Sequence, residues 1–152
     1  MSNLIKQGYF RTKAVEYLQR WIGTPYSWGG DDFSSFDCSG LIVEVLSAVG
    51  IIQRGKDYTA EGLRKKFKDN YIPKPYAGCL VFFVNWEGQA KHVAMCLDEY
   101  FIIHASGGRQ NTITIQNAIK HNAYIKQDFL PDEEKKRKAY KPVYIDPFLG
   151  VI

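Results

Sequence analysis

Phe36-Asp37-Cys38-Ser39-Gly40 runs directly into Leu41-Ile42-Val43-Glu44-Val45-Leu46-Ser47-Ala48-Val49, and Gly50 closes the stretch. A run this apolar is a helix buried on nearly all sides. Residues 38–49 are therefore expected to be helical, with Asp37 as the N-cap and Gly50 as the stop. This puts Cys38 where a loop turns into a buried helix. An ordinary cysteine thiol has a pKa of about 8.5 and must ionise before it attacks a carbonyl. The aligned dipoles and free N–H groups of a helix start favour the thiolate and can also hold an oxyanion.

Upstream, Phe10, Ala14, Tyr17, Leu18 and Trp21 recur at helical spacing, which predicts an amphipathic helix over 10–22 ended by Gly23. Between the two helices lies a loop rich in glycine and aromatic residues, GTPYSWGGDDFSSFD. Downstream, a short helix is expected over 59–68, and Pro73 and Pro75 mark a loop. Strand signals follow at Cys79–Val84, His92–Leu97, Tyr100–His104 and Thr112–Gln116, and Tyr140–Ile145 reads as a final strand. Asn85–Gly88 and Asp98–Glu99 have the composition of hairpin turns. Helices first and an antiparallel sheet second give an α+β layer fold, with the helices on one side of the sheet. The chain has 152 residues with no repeat or linker, so residues 1–152 read as one domain.

Composition narrows the function classes. Hydrophobic residues make up 45% and charged residues 24%, which fits a folded globule rather than a disordered chain. The net charge of +4 includes two basic runs, Arg64-Lys65-Lys66 with Lys68 and Lys135-Lys136-Arg137-Lys138. Neither is interleaved with aromatics, so they read as solvated faces rather than a nucleic-acid surface. No run approaches a membrane span, and the N-terminal stretch lacks a signal-peptide core. The sequence thus reads as a product made in the cytoplasm that needs lysis, a phage particle or a secretion machine to reach any target outside. Three cysteines, Cys38, Cys79 and Cys96, do not suggest a disulfide framework. The three histidines lack zinc-site spacing, and no metal or other cofactor is expected.

A thiol nucleophile needs a base. His92 opens the apolar run VAMCL, and His104 ends the run YFII before Ala105-Ser106-Gly107-Gly108. If the two strands pair through the tight turn at Asp98, both histidines land at the same end of the hairpin. One imidazole can then orient the other. His121 lies in a polar stretch and reads as surface.

GTPYSWGG, then FDCSG with Cys38 twelve residues after Tyr26, then GCLVFF, HVAM and IIHASGG, fall in one order along the chain. Together they resemble the NlpC-type cell-wall peptidases, over about Tyr17 to Gly108. The resemblance implies a papain-like fold, with N-terminal helices on a central antiparallel sheet of about five or six strands. It implies Cys38 as nucleophile, His92 as base and His104 as the residue that orients the base. It also implies Tyr26 in the oxyanion and substrate region, and Asp37 and Ser39 flanking the nucleophile, where some members bind a free N-terminal L-alanine amine. Cys79 stands where many members carry aspartate, a position that reads as structural.

The implied activity is a cysteine endopeptidase acting on peptidoglycan stem peptides, at the bond between γ-D-glutamate and a diamino acid. Other readings keep the scaffold and change the chemistry or the context. They are a papain-like acyltransferase or amidase on another substrate, decided by the groove around Trp28, Phe33 and Tyr76, a toxic effector delivered into a rival cell, and a non-catalytic phage-tail assembly protein.

Overall fold

The computed structural model describes residues 2–24, 33–106 and 124–152, the stretch 33–37 by its backbone alone. Its helices are α1 (Asn3–Gln19), α2 (Phe33–Ala48), α3 (Ala60–Lys66) and α4 (Leu130–Lys136), and a single 3-10 turn covers Lys68–Asn70. The strands are β1 (Tyr71–Ile72), β2 (Leu80–Val84), β3 (Ala90–Cys96), β4 (Phe101–Ser106), β5 (Tyr124–Phe129) and β6 (Lys141–Ile145). They form one six-stranded antiparallel sheet in the order β1-β6-β2-β3-β4-β5.

The α+β expectation holds, and several boundaries move. The first helix begins at Asn3 rather than Phe10, because the Ser2 side chain accepts a hydrogen bond from the Ile5 N–H and so caps an earlier start. The helix carrying Cys38 begins at Phe33, so Asp37 lies inside it and is not its N-cap. Nothing between Phe33 and Cys38 is a glycine or proline that would stop the helix from extending backwards. The short helix expected over 59–68 runs from Ala60 to Lys66, with Thr59 as its N-cap, its hydroxyl accepting from the Gly62 N–H at 3.0 Å. The strand expected over Thr112–Gln116 lies outside the described residues. β5 and α4, in a stretch that reads as polar and charged, emerge only in the structure.

Strand alternation divides the core in two. Leu80 and Phe82 of β2, Val93 and Met95 of β3, Ile103 and Ala105 of β4 and Ile125 of β5 face α1, α2 and α3, where Leu18, Cys38, Leu41, Ile42, Val45 and Leu63 meet them. The other parity, Cys79, Val81, Phe83, Ala94, Cys96 and Ile102, packs against Leu130 of α4. The helices therefore do not all lie on one side: α4 covers part of the second face.

A polar node locks α1 to the end of β6. Asp146 is fully buried and pairs with Arg11, Nη2 to Oδ2 at 2.6 Å, while the Tyr76 hydroxyl donates to the same oxygen. Arg11 also lies over the Tyr76 ring. Burial and the Asp146 carboxylate raise the Tyr76 pKa, which keeps the phenol protonated as the donor. Tyr76 thus serves this node, while Trp28 and the side chain of Phe33, expected beside it in a groove, lie outside the described residues. Nearby, Gly78 has φ of +89°, and a Cβ there would stand 2.8 Å from Arg11 Cβ. Both the left-handed backbone and the close approach of α1 require glycine. Gly78→Ala is expected to lower stability by about 1–3 kcal/mol, read as a shift in the urea unfolding midpoint at unchanged slope.

Candidate active site

The β3–β4 hairpin positions the two histidines. Asp98 Oδ1 accepts from the N–H groups of Tyr100 and Phe101, both at 2.8 Å, and closes the turn. Met95 then pairs with Ile103 and Cys96 with Ile102. Even spacing along each strand puts His92 with Ala94 and Cys96, and His104 with Ile102, all on the α4 face. Both histidines are buried there, and His92 Nε2 lies 2.7 Å from His104 Nδ1. The expected meeting of the two imidazoles at one end of the hairpin is thus present.

The structure adds partners that the sequence analysis lacks. His104 Nε2 lies 2.7 Å from Asp128 Oδ2 on β5. The His92 ring rests on Phe83 with centroids 5.8 Å apart, and the Arg137 guanidinium of the segment just after α4 covers the other part of Phe83. Burial chiefly, and then the nearby His104 and Arg137, hold the His92 pKa well below its ordinary value, so the ring is neutral. The hydrogen bond from His104 holds the Asp128 pKa below the ordinary carboxylate value. Among the described residues His92 Nδ1 has no hydrogen-bond partner.

His104, Asp128 and Glu133 offer ligand atoms within 4.8 Å of one another. Both Glu133 oxygens are bonded, to Lys136 at 3.4 Å and Arg137 at 3.2 Å, and His104 Nε2 is taken by Asp128. The group is organised as a hydrogen-bond chain beside an ion-paired helix rather than as an open cation site.

Cys38 lies elsewhere in the packing. It is the sixth residue of α2 and fully buried in the cluster with Val93, Met95 and Ile103. Ser39 is fully buried beside it. α2 packs on both β3 and β4, so the thiol and the imidazoles belong to adjoining elements. The helix start expected at Cys38 lies a turn and more upstream. Tyr26 and His121 lie outside the described residues, as do the side chains of Asp37 and Phe33 and all of Trp28. Cys79 and Cys96 face each other across β2 and β3 as thiols, with the Cys96 N–H donating to the Cys79 carbonyl at 2.8 Å. The bond to Cys79 and then burial push the Cys96 thiol pKa up, which makes Cys96 an inert packing group.

Residues 23–131 match the model of the NlpC/P60 family. The chain belongs to that family. The matched stretch contains Cys38, His92, His104 and Asp128. Among curated relatives, the chain is 32% identical over 119 residues to the probable peptidoglycan endopeptidase LytE of Bacillus subtilis, covering 78% of this chain and 33% of that protein. It is 30% identical over 118 residues to the probable endopeptidase NlpC of Escherichia coli, covering 75% and 71%. The chain thus spans about a third of LytE, and 41% of the dipeptidyl-peptidase 6 of Lysinibacillus sphaericus that it also matches. Among solved structures, the P60 domain of a Mycobacterium avium subspecies paratuberculosis antigen superposes with a TM-score of 0.65 at 20% identity, covering 94% of this chain and 98% of that one. This last likeness gives the NlpC/P60 fold.

The burial of His92 in this NlpC/P60 domain has a thermodynamic consequence. Its pKa is depressed in the folded state, so below about pH 6.5 the unfolded chain takes up a proton that the folded chain resists. Stability is expected to be level above that pH and to fall as the pH drops through it. Asp128, also depressed, adds its own loss only as the pH falls below its ordinary value of 3.8. Urea unfolding followed across this range checks the order. In His92→Gln the first fall should flatten while the second remains.

Proposed function

We propose that this chain is a cysteine endopeptidase of peptidoglycan stem peptides, cleaving the amide between γ-D-glutamate and a diamino acid. The reading is carried by the imidazole pair: His92 bonds His104 through Nε2 at 2.7 Å, and its Nδ1 is left without a partner among the described residues. It is supported by the family match, which contains Cys38 and both histidines, and by relatives named as peptidoglycan endopeptidases.

In this mechanism Cys38 Sγ passes its proton to His92 Nδ1 and attacks the amide carbonyl carbon. The tetrahedral oxyanion collapses as His92 returns the proton to the leaving amine nitrogen. The C–N bond breaks and a thioester remains on Cys38. Water then gives a proton to His92 and attacks the thioester, releasing the new carboxyl group and restoring the thiol. His104 orients the base throughout. Tyr26 is assigned to the oxyanion region, and Asp37 and Ser39 to the free amine of the peptide. The substrate is met at the cell wall, after export, lysis or delivery in a particle.

The mechanism requires Cys38 Sγ to approach His92 Nδ1. The pairing of β2 with β3 shifts register between Phe83 and Val84, where Phe83 pairs with His92 and Val84 with Ala90. The strand's alternation is therefore broken beside His92.

The purified protein and Cys38→Ala should be incubated with L-Ala-γ-D-Glu-diaminopimelate and with whole peptidoglycan, and the products weighed by mass spectrometry. Release of diaminopimelate by the wild type, lost in the variant, is the expected result. Mapped iodoacetamide labelling from about pH 5 to about pH 9 tests the thiol–imidazole contact. Cys38 should react well below the pH of an ordinary thiol, and His92→Gln should move its profile up. No product, together with labelling of Cys38 only as an ordinary or buried thiol, would overturn the reading.

A further inference from the structure

We propose that Asp128 is a positioning residue that fixes the tautomers of both histidines, so that His92 presents an unprotonated Nδ1. This deepens the reading of His92 as the base and rests on it for its catalytic meaning. The argument runs along one line of atoms. Asp128 Oδ2 stands 2.7 Å from His104 Nε2, and an ionised carboxylate only accepts hydrogen bonds. His104 Nε2 must therefore carry a proton. In the neutral ring this leaves a lone pair on His104 Nδ1, which stands 2.7 Å from His92 Nε2. His92 Nε2 must then be the protonated nitrogen, and its lone pair falls on Nδ1. Reversing either tautomer would set two N–H groups or two lone pairs face to face at 2.7 Å.

The surroundings favour the same polarity. His104 and then Lys126 and Lys136 keep Asp128 ionised. Glu133, the other carboxylate near His104 Nε2, is held by Lys136 and Arg137. Arg137 also disfavours a second proton on His92. Asp128 reaches this position because its strand pairs with β4, where it sits opposite Ile102 and two residues from the partner of His104.

The test is long-range nitrogen-15 NMR of the histidine rings at neutral pH, in the wild type, Asp128→Leu and Asp128→Asn, beside the cleavage assay. The wild type should show His92 and His104 both protonated on Nε2. Asp128→Leu removes the acceptor, and should give mixed tautomers and a loss of kcat of about 10- to 100-fold at unchanged KM. Asp128→Asn keeps an acceptor oxygen, and should recover much of the tautomer and part of kcat. It also serves if the leucine variant fails to fold. A wild type with His104 protonated on Nδ1, or tautomers unmoved in both variants, would overturn the proposal even if cleavage is strong. Expected tautomers in a wild type that cleaves no stem peptide would leave the positioning intact and overturn the peptidase reading instead.

Discussion

The pairing of β3 with β4 is the constraint on which the rest of the site depends. A single carboxylate, Asp98, closes the turn by accepting two adjacent N–H groups, and the register it sets puts His92, Ala94 and Cys96 of β3 and Ile102 and His104 of β4 on one face. A slip of one residue would turn both imidazoles toward α2 and expel Val93, Met95 and Ile103 from the larger core. The apolar residues on the helix side thus hold the histidines in place on the other side. The accuracy of the polar array comes from hydrophobic burial across the sheet.

That array is closed off from water by more than its own strands. α4 brings Leu130 and Glu133 over the second face, with Arg137 just after it, while Phe83 backs the His92 ring. In such surroundings a protonated imidazole is disfavoured and hydrogen bonds strengthen. The same enclosure makes the two faces of the sheet chemically unlike. One is a dry aliphatic layer that includes the Cys38 thiol. The other mixes aromatic, imidazole and carboxylate groups.

Much of this was legible in the sequence because the central strands are made of residues with one strong preference. Leu80–Val84 and the run before His104 are rich in β-branched and aromatic residues, the run after His92 is wholly apolar, and their order along the chain yields the sheet. β5 was not legible. In Tyr124–Phe129 only Ile125 is fully buried, and lysine, glutamine and aspartate give it the look of a loop. Asp128 was hidden for that reason, since a carboxylate in an apparent loop carries no signal of a partner 24 residues away. α4 reads as a charged run because its core contact is made by Leu130 while Glu133 is buried through its ion pairs. The start of α2 was misplaced because apolarity begins at Cys38, although helicity begins at Phe33.

The Asp146 node has a mechanical side. Gln7 on α1 donates to the carbonyls of Leu149 and Val151, and Lys6 reaches the carbonyl of Ile152, so the first helix and the last residues are bound side by side. A pull on the two ends would load these few hydrogen bonds and the Arg11–Asp146 pair first, peeling the tail from α1. The β3–β4 pairing lies off that line of force. The domain can therefore be held under tension at its ends, or lose its last residues to fraying, while the imidazole chain stays in register.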